Sequence, residues 1–201
     1  MLVLTGLPTL FPRLVEARTY SERMFRVVFL KKLGEDATRE AILRPIEDAK
    51  CPVRFDDKSV TSITSISGGY PYFIQFICRE VYDRWIQRIE AAEDTFVPVA
   101  EILEKLDSDF FAGRWSRVTE RQKDLLRIIA ELPSSDNEFT VQEIVGSSKQ
   151  GLKKDFGNSQ VNRMLSTLGD AGLVYKNRHG KYSFAVPMFG QFILRHVEAA
   201  S

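Results

Sequence analysis

Apolar positions along this chain follow helical spacing over most of its length and β-like runs only toward its two ends. Leu2-Val3-Leu4 is a short apolar run closed by Thr5-Gly6-Leu7-Pro8, which predicts a buried strand ending in a turn. Thr9 to Ala17 places Leu10, Phe11, Leu14 and Val15 on one face, about two helical turns. Met24 to Leu30 is rich in β-branched and aromatic residues and predicts a second strand. Strand, helix, strand predicts a β-α-β unit of a parallel sheet. Two strands are too few for a sheet buried on both faces, so the segment reads as the last piece of a larger α/β domain.

The middle of the chain predicts helices only. Asp36 is placed to cap a helix over Ala37 to Ala49, with Glu40 in reach of a capping contact and Pro45 marking a kink or an early stop. Asp56 caps a helix over Asp57 to Ser67 that buries Val60, Ile63 and Ile66, and Gly68-Gly69 ends it. Pro71 then takes a first-turn position. From Phe73 through Ile89 the apolar residues recur at i, i+1, i+4 and i+5, a long amphipathic helix. Pro98 opens a further helix with Ile102, Leu103, Leu106, Phe110 and Phe111 apolar.

The last third changes texture. Thr119 caps a helix to Leu132, and Thr140-Val-Gln-Glu143 is a capping box opening a short helix to about Gly146. Asn158 or Ser159 starts a third helix with Val161, Met164, Leu165 and Leu168 inward, ended by Gly172. Leu173 to Lys176 and Tyr182 to Val186 are strands around the hairpin turn Asn177-Arg178-His179-Gly180, and Pro187 to Val197 is a final helix. Three helices followed by a β-hairpin is the plan of a winged helix-turn-helix, and capping, helix length and hairpin agree on it.

Composition narrows the function classes. The 201 residues hold 28 Lys and Arg against 27 Asp and Glu, net +1, which excludes a polybasic or polyacidic chain. Residues 1–116 carry 16 basic and 18 acidic side chains, and residues 117–201 carry 12 and 9, so the sign shifts from net −2 to net +3. No apolar run is long enough to span a membrane and no signal-like start is present. The two cysteines, Cys51 and Cys78, make no disulfide framework and fit a reducing, cytoplasmic setting. His179 and His196 lie far apart, and no metal-ligand or nucleophile motif occurs, so no metal site is expected.

Several stretches, in order, resemble a known group. Leu4-Thr-Gly-Leu-Pro-Thr-Leu10 followed by Tyr20-Ser-Glu-Arg-Met-Phe25 resembles the sensor-1 strand and arginine segment of an AAA+/STAND ATPase. Ser67-Gly-Gly-Tyr-Pro-Tyr-Phe-Ile-Gln75 is similar to the lid helix of those ATPases. Phe110-Phe-Ala-Gly-Arg-Trp115, then Gly172-Leu-Val-Tyr175 and Phe184-Ala-Val-Pro-Met-Phe189, resembles their winged-helix end, as in the archaeal-type, origin-recognition-like group. The resemblance implies a mainly α (α+β) chain in three parts. These are a β-α-β remnant of a P-loop core (1–33), a helical lid domain (34–116) and a winged-helix domain (117–201).

The departure from that group matters as much. No G-x-x-x-x-G-K-[ST] occurs, and no apolar strand ends in Asp-Glu. ATP and Mg²⁺ therefore belong to a longer parent protein, and hydrolysis by this chain alone is not expected. The resemblance implies a partner supplying the P-loop half, as a missing N-terminal segment or a complementing chain. By the same resemblance Thr5, Arg23, Gly68, Gly69, Tyr70 and Pro71 would face nucleotide. Read from the residues alone, Thr5 ends a strand, Arg23 is a solvated cation beside Glu22, and Gly68 to Pro71 are a helix stop and a first-turn proline.

For nucleic acid, the start of the third helix offers Asn158, Ser159, Gln160, Asn162 and Arg163, polar groups suited to base edges. Lys153 and Lys154 precede it, and Lys176, Arg178 and Lys181 sit on the hairpin, suited to phosphate. The same face equally reads as a solvated surface on a protein-binding winged helix. Two functions stay open: the lid and winged-helix portion of a regulatory ATPase that binds DNA or a protein partner, and a free-standing DNA-binding transcriptional regulator. The regulator would bind duplex DNA with a steep salt slope, whereas the ATPase portion would expose the apolar residues Leu2–Leu4 and Val27–Leu30 and self-associate.

Overall fold

The computed structural model describes residues 2–6, 10–28, 32–90, 96–151, 155–178 and 180–199. They form two compact units, one of Leu30–Phe110 and one of Met1–Phe29 with Phe111–Ser201.

Among the described residues of the first unit every regular element is a helix. The unit contains α3 (Glu35–Asp48), α4 (Asp57–Ser67), α5 (Pro71–Glu90) and α6 (Val99–Leu106); α1 (Leu10–Ala17) and α2 (Ser21–Met24) precede them in the other unit. Helix α3 starts at Glu35, not Ala37: Gly34 stands at its N-cap and offers no side chain, while Glu35 and Asp36 lie in the first turn against the helix dipole. Pro45 does not stop α3, because it forfeits only its own N–H bond and the helix runs on to Asp48. Asp56 caps α4 as expected, its Oδ1 accepting from the Ser59 N–H at 2.8 Å. Ile42, Val60, Ile63, Phe73, Ile77, Val81, Ile102 and Leu106 are buried between these helices. Trp85 donates its indole N–H to the Phe96 carbonyl at 2.7 Å and meets Phe55 edge-on at 5.1 Å. On α5, the nearly buried Glu80 receives both of its hydrogen bonds from the Lys105 ammonium, at 2.7 and 2.8 Å.

After α6 the chain turns π-helical over Asp107–Ala112, within which the first unit ends, and continues as α7 (Gly113–Trp115). The helical spacing from Pro98 to Phe111 does not distinguish this wider register from an α-helix.

The second unit contains α1 (Leu10–Ala17), α2 (Ser21–Met24), α8 (Glu120–Glu131), α9 (Val141–Gly151), α10 (Asn158–Asp170), strands β1 (Val174–Arg178) and β2 (Lys181–Phe184), and α11 (Phe189–Ala199). Thr119 and Gln122 form a full capping box at α8. The expected box at Thr140 is present too: Glu143 accepts from the Thr140 N–H and hydroxyl, both at 2.7 Å, and donates its N–H back at 3.2 Å. Helix α9 runs five residues past the expected end at Gly146. Strands β1 and β2 pair antiparallel, Val174 opposite Phe184 and Lys176 opposite Tyr182, with an irregularity that leaves Asn177 out of register. Helix α11 packs on α8, with Phe189, Phe192 and Ile193 buried beside Phe111 and Trp115.

The β-α-β unit expected near the start is not formed. Residues 2–6 and 25–28 carry no strand, and the only sheet among the described residues is the β1–β2 hairpin. Leu2, Val3 and Val28 are 70%, 66% and 71% exposed. An apolar run becomes a strand only where a neighbour satisfies its N–H and C=O groups, and neither run has one. Met24, expected in the second strand, instead closes the short helix α2. Thr9, Phe29 and Leu30 lie outside the described residues.

Candidate nucleic-acid interface

The N-terminus of α10 is set by the connection before it. Phe156 is buried, its N–H bonds the Ser148 hydroxyl at 3.3 Å, and the Arg121 guanidinium lies 3.7 Å over its ring. Arg121 also donates to the Asp155 carbonyl at 3.2 Å, so α8 clamps the turn that launches α10. Gly157 is the N-cap and supplies no side chain, which leaves the first turn of α10 without a side-chain cap. Such an end presents unpaired backbone N–H groups and the positive end of the helix dipole.

On α10 the buried positions are Val161, Met164, Leu165 and Leu168. The helical period then puts Asn158, Ser159, Asn162 and Arg163 on the exposed side, with Gln160 half-buried. Asn162 donates its amide to the Asn158 carbonyl at 2.9 Å. A base edge would have to compete with that bond.

The hairpin is anchored more firmly than its sequence indicates. Phe139 and Tyr182 exchange both backbone hydrogen bonds, at 2.8 and 2.9 Å, so the residue before the α9 capping box extends the hairpin by a bridge. Ser183 donates to the Asn137 carbonyl at 2.6 Å and accepts from the Asn177 amide at 2.8 Å. A single buried phenylalanine between polar residues was the sole sequence signal for this. Lys176 is exposed and Lys181 half-buried. Lys181 lies close enough to Glu143 to help hold that carboxyl below its usual range, after the larger effect of the Thr140 hydrogen bond. Lys153, Lys154 and the side chain of Arg178 lie outside the described residues.

A cleft of about 390 Å³ opens between α10, the hairpin and α1. Asn162, Ser166 and Asp170 line it from α10, Tyr175, Lys176 and Tyr182 from the hairpin, and Pro12, Arg13 and Glu16 from α1. The sequence carries no sign of this placement of α1, because its apolar stripe marks a face and not a neighbour.

The residues expected at a nucleotide fall in both units. Thr5 and Arg23 are exposed in the second unit. Gly68 to Pro71 turn the corner from α4 to α5 in the first. Both glycines are left-handed, φ 58° and 78°. Gly69 accepts the Leu33 N–H at 2.7 Å, and a Cβ on it would stand 2.5 Å from the Leu33 carbonyl oxygen. Close packing therefore requires Gly69 whatever else the corner does. Around it Tyr70, Tyr72 and Phe110 surround Phe73 with ring centroids 5.3–6.3 Å from it. Tyr72 is 55% exposed.

Among the described residues no cluster of three His, Cys, Asp or Glu could hold a metal ion, and no helix is long and apolar enough to cross a membrane. No curated protein matches the chain. Residues 108–193 match the model of a family described as "Domain of unknown function (DUF8462)", a stretch that contains α8 to β2 and therefore the α10 and hairpin side of the interface.

Proposed function

We propose that α8 to α11 form a winged helix-turn-helix that docks on duplex DNA, with α10 as the reading helix and the β1–β2 hairpin as the wing. The observation that carries this reading is the hairpin's bridge to Phe139 together with the exposed polar start of α10. It holds a basic β-ribbon at a set position next to a helix whose first turn is uncapped and hydrogen-bonding. Arg163 and Lys176 would contact phosphate or base edges, and Asn158, Ser159 and Asn162 base edges.

The wider reading sets this module in a regulatory ATPase of the AAA+/STAND kind, with residues 34–116 as its lid. ATP and Mg²⁺ would then be held by a P-loop segment outside this chain. Its support is the Gly68-Gly69-Tyr70-Pro71 corner with its exposed aromatic Tyr72, a surface on which a base could stack. A protein ligand in place of DNA is the competing use of the winged helix.

Fluorescence anisotropy of the full chain with a mixed pool of duplexes tests the DNA reading. Arg163, Lys176 and Lys181 are cations among the described residues of this face. A log–log salt slope of about −3 is expected, and Lys176→Ala should flatten it by about 1. Binding that neither salt nor Arg163→Ala and Lys176→Ala alters would defeat the reading.

A further inference from the structure

We infer that α1 is a built-in cover over the nucleic-acid face, and that it must swing away before a duplex can seat α10. This inference rests on the winged-helix reading of the second unit.

The exposed face of α10 consists of two stripes. Ser159, Arg163 and Thr167 make one, and Asn162, Ser166 and Asp170 make the other. The second stripe and Lys176 of the hairpin form one wall of the cleft whose opposite wall is α1. The half of the helix nearest the wing is thus shared with another helix.

Dimensions decide whether both can stay. The major groove of B-DNA is about 12 Å wide and takes one helix, which with side chains measures about 10–12 Å across. A second helix beside it adds roughly 8–10 Å of axis separation. With α1 in place, α10 cannot enter the groove on its wing side.

The cover is also built to move. No residue of α1 is buried, although Leu10, Phe11, Leu14 and Val15 are half-buried along one face. A hydrogen bond ties it to the adjacent turn, the Ser21 hydroxyl donating to the Leu14 carbonyl at 3.1 Å. An element with little buried surface sits at the low-stability end of a domain and opens first.

The test uses the full chain in two forms. Leu14→Asp loosens α1, and circular dichroism confirms that the remaining helices persist. In the second form Glu16→Cys and Asp170→Cys are joined by a cleavable bis-maleimide, with Cys51→Ser and Cys78→Ala removing the native thiols. Affinity for a short duplex at low salt is expected to rise about tenfold in the loosened chain, an ordinary coupling between sites. In the locked chain it is expected to fall at least as far and to return once the linker is cut. Equal affinities in unaltered, loosened and locked chains overturn the cover and leave the DNA reading standing. No binding in any form, the loosened chain included, overturns both.

Discussion

Gly68 and Gly69 are neighbours in one corner, yet they are held to glycine for different reasons. Both have positive φ, which costs a side-chain-bearing residue about 1–2 kcal/mol. A Cβ on Gly68 would meet only the Tyr70 ring at an ordinary 3.6 Å. On Gly69 it would strike the Leu33 carbonyl, a backbone atom, and displace the hydrogen bond from the Leu33 N–H. Gly68→Ala should therefore cost about 1 kcal/mol, and Gly69→Ala about 2–4 kcal/mol once the lost bond and displaced backbone are added. Urea denaturation of the two variants checks the order. Equal losses would mean that the Leu33 contact carries no weight. Packing alone thus accounts for the glycine at position 69, so its identity is evidence neither for nor against a nucleotide at this corner.

At the scale of elements, the helix starts depend on short-range carboxylates. Glu143 is held below the ordinary carboxylate range, first by the Thr140 side chain, and Asp56 likewise by Ser59, first by its side chain and then by its backbone. A carboxyl depressed in the folded state contributes stability above its unfolded value. That contribution is lost as pH falls through the lower folded value. The α9 start should accordingly loosen in acid as pH falls below about 4.5, and the α4 start as it falls below about 3.8, the ordinary values of the two carboxyls. Glu143→Gln keeps a side-chain acceptor at the same position and removes the charge. Its stability profile between about pH 3 and 5 should be flatter than that of the unaltered chain in thermal melts. Parallel profiles would show that Glu143 does not titrate with folding. These caps were legible beforehand because each involves residues three apart. The π-helical turn over Asp107–Ala112 was not, because a one-residue change in hydrogen-bond register leaves the apolar pattern almost unaltered.

At the scale of the molecule, the chain carries net +1 and exposes Leu2, Val3 and Val28 in stretches that form no strand. Low net charge gives little repulsion between copies, and unpaired apolar backbone is a template for pairing. Sedimentation velocity should show association that grows with concentration, and the double change Leu2→Lys with Val28→Lys should reduce it. A monomer at every concentration would show that these runs are solvated without consequence. The polar start of α10, the hairpin and the capped helices were all legible in the residues, since they rest on helical period, caps and turn chemistry within a few positions of one another. Whether the apolar runs near residues 2–4 and 24–28 became strands, which helix came to stand across from α10, and how Phe139 came to bind Tyr182 were decided by tertiary structure. Each of these depends on a partner distant in sequence, and a residue's own pattern states that it has a face to cover without stating what covers it.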